Sequence, residues 1–387
     1  DIKKTPKAME QIFFGLHGFQ SGPNWWEEKI KGKVQDWFSF EMISQGGQIH
    51  FLIRTPSNYR NFVESQIYAQ YPQAEIKQVD DYVHSIPEEV PNPDFDLWGT
   101  ELILTNDDPY PIRTYQDFEK NIVVEEQRID PLASLVEVMG NAQVGENLWI
   151  QTLIRPLDHS WKKYSEWKRN SLAGREEKKK ENPIIKEINA WIEVISESIT
   201  GLATGGGDKK EERVVKPMEL MTKKEKDAIT AIEEKMAKVG YEVVIRFLYL
   251  APTSVFSKAN AGGIIGCYKQ FGDQDLNGFK PNGKITSKID YRFQAKKVRE
   301  TSRKKNLLLN YQNRYFPTNS KFINYLKPLW FERLPVFRNF FCKSQPFILN
   351  AEELASIYHY PGEMVEAPMA PKVDAKKSEP PASLPTG

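Results

Sequence analysis

Gly278 to Lys284 has the spacing of a phosphate-binding loop, in which backbone N–H groups cradle phosphates and a lysine reaches the outermost one. The hydroxyl that should hold magnesium is replaced by Ile285, and Pro281 removes an N–H from the cradle. Overlapping it, Asp273, Asp275, Asn277 and Gly278 reproduce the first half of a calcium loop. The twelfth position, where a bidentate carboxylate belongs, is Lys284, and a cation there repels calcium. A turn between elements accounts for both patterns. His17, His50, His84, His159 and His359 show no metal-ligand spacing, and His50 falls in a strand and His359 in a helix. Cys267 and Cys342 lie far apart in sequence without a neighbouring histidine, so no thiol nucleophile is indicated. Asp80-Asp81, Asp107-Asp108 and Glu125-Glu126 lack a defined partner and read as a solvated face. No catalytic residue, metal site or cofactor is assigned, and the chain reads as a non-enzyme.

The segment from Lys288 to Arg314 carries more chemistry. Nine cations, among them Lys296, Lys297, Arg299, Arg303, Lys304 and Lys305, stand against Asp290 and Glu300. Tyr291, Phe293, Tyr311, Tyr315 and Phe316 are interleaved with them. Cations that neutralise phosphates beside rings that stack on bases are the elements of single-strand binding. The same pattern fits docking onto an acidic region of the same or a neighbouring subunit, or a solvated helix face.

Such an acidic region exists. Residues 72–147 hold 17 acidic and 4 basic residues, whereas 280–343 hold 16 basic and 3 acidic ones. The formal net charge of +1 over 387 residues is therefore a cancellation of opposed regions. It excludes a uniformly basic nucleic-acid binder and a uniformly acidic disordered chain. Two cysteines exclude a disulfide-stapled fold, and no apolar run approaches the ~20 residues that span a bilayer. The chain opens at Asp1 without a signal-peptide pattern, so an upstream segment is expected.

The elements that must position these residues follow from local signals. Asp36–Ser44 and the strand ending at Arg54 read as a hairpin turning at Gly46-Gly47. Pro56 and Ser57, the latter as N-cap, open a helix with Tyr59, Phe62, Val63 and Ile67 on one face. Ala74–Tyr82, Leu97–Thr105, Asn147–Arg155 and Tyr241–Leu250 read as strands, the last two followed by helices near Asp158 and Thr253. Asp130-Pro131 opens a helix with Leu132, Leu135, Val136 and Met139 inward. Thr222 and Glu225 make a capping box for a helix stopped by Gly240. The alternation predicts an α+β fold of two ferredoxin-like, split βαβ units, at 8–157 and 221–361. Between them, 158–220 reads as a charged helical insertion with a Gly-rich linker. Its Ile184, Ile188, Trp191, Ile192, Ile195 and Ile199 form an apolar stripe that packs on the host domain or binds a partner. The Pro-rich stretch 362–387 reads as a flexible tail.

Several blocks resemble the amino-terminal region of bacterial conjugation-type, type IV secretion DNA-transfer ATPases. They are Ala8–Phe13 with Leu16-His17-Gly18, Phe40-Glu41, Gly47–Pro56, Val63–Ile76, Met221–Lys235, Gln270-Phe271, Leu276–Pro281 and Leu349–Pro361. The resemblance implies a membrane-associated assembly factor of a secretion or DNA-transfer machine, at the cytoplasmic face of the bacterial membrane. It implies protein partners of that complex, a homo-oligomer among them, and a membrane segment outside this chain. The Walker motifs of the motor-bearing relatives are absent from this chain, so ATP hydrolysis is not carried over. The expectation is a non-catalytic interaction module; the alternative is a nucleic-acid-binding module using residues 288–316.

Overall fold

The computed structural model describes residues 6–19, 35–87, 89–119, 130–174, 221–288, 296–317 and 344–361. The stripe from Ile184 to Ile199, the Gly-rich linker and the tail lie outside them, as do Tyr291 and Phe293.

The fold is α+β. Seven strands form one sheet: β1 (Phe38–Gln45), β2 (Gln48–Arg54), β3 (Phe95–Leu104), β4 (Asn147–Pro156), β5 (Gly240–Pro252), β6 (Phe279–Pro281) and β7 (Phe347–Asn350). Their order is β2-β1-β4-β5-β3-β6, every pairing is antiparallel, and β7 extends the edge of β5 that β3 leaves free. The strands expected of two ferredoxin-like units thus belong to a single sheet. β4, from the first expected unit, pairs with β5, from the second, along Asn147–Pro156. Hydrogen bonding continues straight across the expected boundary.

The β1–β2 hairpin forms where expected. Gly46 and Gly47 take φ of +58° and +88°, the left-handed pair that a two-residue hairpin turn needs. Gln45 then faces Gln48, which sets the register of the whole ribbon.

Nine α-helices are found among the described residues: α1 (Pro6–Leu16), α2 (Arg60–Gln70), α3 (Tyr115–Glu119), α4 (Ala133–Gly140), α5 (Lys162–Leu172), α6 (Lys223–Ala237), α7 (Lys258–Tyr268), α8 (Lys296–Gln312) and α9 (Ala351–Ile357). Apolar residues of α1, α2, α4, α7 and α9 cover one sheet face, meeting Phe40, Met42, Ile150, Phe247 and Tyr249. On the opposite face Leu307, Leu308 and Tyr311 of α8 pack on Trp149, Leu248 and Leu250. Because both faces are covered, β5 is buried along Val243–Ala251 and reads as a continuous apolar run broken only at Arg246. Gly99 lets α8 approach: a Cβ there would sit 2.6 Å from side-chain carbons of both Leu248 and Leu307.

Some local expectations give way. Ser57 is not a cap; Pro56 precedes a short 3-10 turn, Ser57–Tyr59, that leads into α2. The helix expected near Thr253 begins at Lys258, after a turn. His359 lies beyond the end of α9, buried, with its ring nitrogens bonded to the Ala355 carbonyl and to Asp130. The strand expected at Ala74–Tyr82 is not formed: residues 74–81 have no regular secondary structure, and Tyr82–His84 is a 3-10 turn. The Thr222–Glu225 capping box is present in full.

Candidate functional site

The face beneath α8 carries a row of polar residues directly opposite one another on four strands. Glu41 faces Gln151, Gln151 faces Arg246, and Arg246 faces Glu101. Strand alternation puts all four on the same side as Ile43, Trp149 and Leu248. None is more than 1% exposed. Burial at that level requires partners for every charge. Arg246 Nε donates to Glu101 Oε1 at 2.9 Å, and its Nη atoms donate to Gln151 Oε1 and to the carbonyls of Asn310 and Tyr315. Gln151 Nε2 donates to Glu41 Oε1 at 3.1 Å and to the Tyr311 carbonyl at 3.0 Å. The end of α8 is thereby held on the sheet through its own backbone.

Arg314 follows that helix end with φ of +47°, a left-handed conformation that a non-glycine residue adopts only when held there. It donates to both oxygens of Glu41, at 2.9 and 3.2 Å, and to both oxygens of Asp81, at 2.6 and 2.8 Å. Tyr82 donates to Glu41 Oε2 at 2.7 Å, and its hydroxyl meets that of Tyr311 at 2.8 Å. Burial pushes the Asp81 carboxyl up, but hydrogen bonds and charge from Arg314, with the Val83 N–H, outweigh it and hold it below the usual carboxylate range. A carboxylate depressed on folding stabilises above its unfolded value and loses that contribution as pH falls through the folded one. Asp81→Asn is therefore expected to flatten the fall of stability below about pH 4 and to leave the slope at higher pH unchanged, read by urea unfolding across pH.

Arg314, Glu41, Asp81 and Tyr82 also line one end of a groove of 610 Å³. It is lined by Phe51–Arg54 of β2, by residues 74–81 and by Val63 and Ile67 of α2, among others. Since Gln45 pairs with Gln48 across a two-residue turn, Ile49, Phe51 and Ile53 turn their N–H and C=O groups away from β1. Among the described residues no backbone–backbone hydrogen bond reaches them from another element, and residues 75–80 make none. Among the described residues the outer edge of β2 is thus unpaired where it borders the groove. The segment expected as a strand at Ala74–Tyr82 lines this groove without forming one.

The basic segment is largely committed to the fold. Arg303 donates to the carbonyls of Gly283 and Thr286, Lys304 pairs with Asp96, and Lys296 lies 4.0 Å from Glu300. Arg299 is half-buried, while Lys297 and Lys305 are exposed on α8. Tyr311 is buried and stacked on Trp149, and Phe316 is buried beneath Trp37 and the Arg155 guanidinium; only Tyr315 of the described rings is exposed. Tyr311 and Phe316 therefore serve the core, not base stacking. Lys304–Asp96 and Arg314–Asp81 join the basic and acidic regions within the chain. Gly278 to Lys284 forms the short edge strand β6 and a turn, with buried Asn277 accepting from Thr105 and from the N–H groups of Asn106 and Gly278. Among the described residues no group of three or more His, Cys, Asp or Glu could hold a metal, and no helix is long and apolar enough to cross a membrane.

These features define an α+β protein built on one antiparallel seven-stranded sheet, with a charged row across its centre and one edge open to a groove. The chain belongs to the family described as domain of unknown function DUF8128, whose model matches residues 3–372. No curated protein matches the sequence.

Proposed function

We propose that the chain is a non-catalytic interaction and assembly module that takes an extended polypeptide along the free edge of β2. The observation that supports this reading is the outer edge of β2, unpaired among the described residues where it borders the groove that residues 74–81 also line. Strand addition uses main-chain hydrogen bonds for affinity and alternate side-chain pockets for selectivity. Phe51, Ile53, Val63 and Ile67 supply an apolar wall, and Arg54 and Arg60 supply charge. The resemblance of the sequence to the amino-terminal region of type IV secretion DNA-transfer ATPases gives the setting we propose. That setting is a membrane-associated secretion or conjugation machine at the cytoplasmic face, whose subunits or further copies of this chain are the partners. The test is titration with an excess of a short peptide of alternating valine and threonine, followed by amide NMR. Shifts confined to Phe51, Ile53 and their neighbours are expected; shifts scattered elsewhere, or none, overturn the reading.

A second reading, nucleic-acid binding through α8, draws on the exposed Lys297 and Lys305, which make no ion pair among the described residues. Neutralising two phosphates of a single strand predicts a log–log salt slope of about −1.4. Binding that is undetectable at low salt, or insensitive to salt, overturns it.

A further inference from the structure

After α9 the chain passes the groove, extended at Tyr358 with φ of −148° and ψ of 111°. The Tyr358 ring packs 5.1 Å from Phe40 and 5.9 Å from Phe51, and its hydroxyl donates to the Leu52 carbonyl at 3.3 Å. Tyr360 packs 5.7 Å from Phe51 of β2 and 5.1 Å from Tyr71 at the end of α2, and it lines the groove. Between these two rings His359 is 1% exposed and bonds elsewhere. Its Nδ1 lies 2.7 Å from the Ala355 carbonyl oxygen, and its Nε2 lies 2.9 Å from Asp130 Oδ1. Both partners are acceptors; Asp130 Oδ1 also accepts from the Leu132 N–H at 2.7 Å. A neutral imidazole has only one N–H to give. Ring and carboxyl together therefore hold one proton more than a neutral ring beside a carboxylate. The ring, the stronger base, carries it, at a helix C-terminus where a cation is favoured.

Resting on the reading that the groove takes an extended polypeptide, we infer that this proton is a latch. While His359 holds it against Asp130, Tyr360 stays in the groove wall; its loss as pH rises lowers the groove's affinity for a strand. Without the proton a nitrogen lone pair faces an oxygen lone pair, and that contact opens. The segment then loses its tie to either Asp130 or the Ala355 carbonyl, and Tyr360 no longer closes the groove beside Phe51 and Tyr71. Burial raises the Tyr71, Tyr358 and Tyr360 hydroxyls above the usual phenol range, so all three keep their protons at pH 9. Glu352 of α9 and Glu10 of α1 pair with Lys238, Glu353 pairs with Lys235, and Asp117 of α3 accepts from the Thr114 N–H.

The experiment compares the full chain with its His359→Gln variant at pH 6 and pH 9 by NMR, with the valine–threonine peptide as ligand. In the unaltered chain the His359 ring is expected to show two N–H groups at pH 6 and one at pH 9, while contacts between the Tyr360 and Phe51 rings weaken. Affinity for the peptide is expected to fall about tenfold over the same range. The variant is expected to bind equally at both pH values; any pH dependence caused by the other histidines survives in it. A single ring N–H at pH 6, or Tyr360 contacts that ignore pH, overturns the latch, and this readout needs neither the peptide nor the variant. Unchanged affinity in the unaltered chain, or the same fall in the variant, overturns the latch while the groove reading stands. No binding at either pH overturns the groove reading and its regulation together.

Discussion

Replacing Arg246 by methionine is expected to lower the free energy of unfolding by about 3–5 kcal/mol, the cost of leaving one member of a buried pair uncompensated. Arg246 is 0% exposed and is the only cation in direct contact with Glu101, itself 1% exposed, among the described residues. Removing the guanidinium also frees Gln151 Oε1 and the carbonyls of Asn310 and Tyr315, so α8 loses its attachment to the centre of the sheet. The control is the double variant Arg246→Met/Glu101→Leu. It removes both charges and fills the space with apolar atoms, and it is expected to recover most of the loss. Urea unfolding of the two variants decides: a single variant within about 1 kcal/mol of the parent would show that the row contributes little.

Lys235→Met is expected to cost a similar amount, about 3–5 kcal/mol, at the other end of the sheet. Lys235 and Glu353 are both fully buried, 3.2 Å apart. The lysine also donates to the Ile348 carbonyl at 2.9 Å, tying α6 to β7. Glu353 closes the capping box of α9 and accepts from the Ile112 N–H. Burial pushes the Glu353 carboxyl above the usual range, and Lys235 with the Asn350 and Ile112 N–H groups pulls it back. Without the lysine it rises further. An acid raised on folding leaves stability intact below its unfolded value and removes it as pH rises through the folded one. The deficit of Lys235→Met should therefore be larger at pH 7 than at about pH 4, near the unfolded carboxylate value. A deficit independent of pH would mean that packing, not charge, is what the lysine contributes.

Local features were legible in the sequence because local chemistry decides them. Gly46-Gly47 admits only the tight hairpin, and Thr222 with Glu225 caps α6 whatever lies beyond. The charged row was not legible. Glu41, Glu101, Gln151 and Arg246 come from four strands far apart in sequence, and a polar residue on alternate strand positions looks like a solvent face until α8 covers it. The opposed charge of 72–147 and 280–343 was legible as a sum. That part of it closes within the chain, through Asp81–Arg314 and Asp96–Lys304, depends on which loops the sheet brings together. Tyr311 and Phe316 read as stacking rings by composition, and the apolar face of the sheet claims them instead. The Ala74–Tyr82 alternation reads as a strand, but the segment lies along the groove without regular structure and ends in a 3-10 turn.

Recognition through the backbone edge of β2 has a direct test. Two versions of the valine–threonine peptide are prepared, each N-methylated on one set of alternate residues, and their binding to the full chain is measured by calorimetry. One version has its methyl groups on the edge that meets β2, removing those N–H donors and blocking close approach, and the other has them on the opposite edge. Binding of the unmodified peptide that is lost in at least one methylated version is the predicted result. Equal affinity for all three peptides would contradict the claim, because side chains alone would then account for binding.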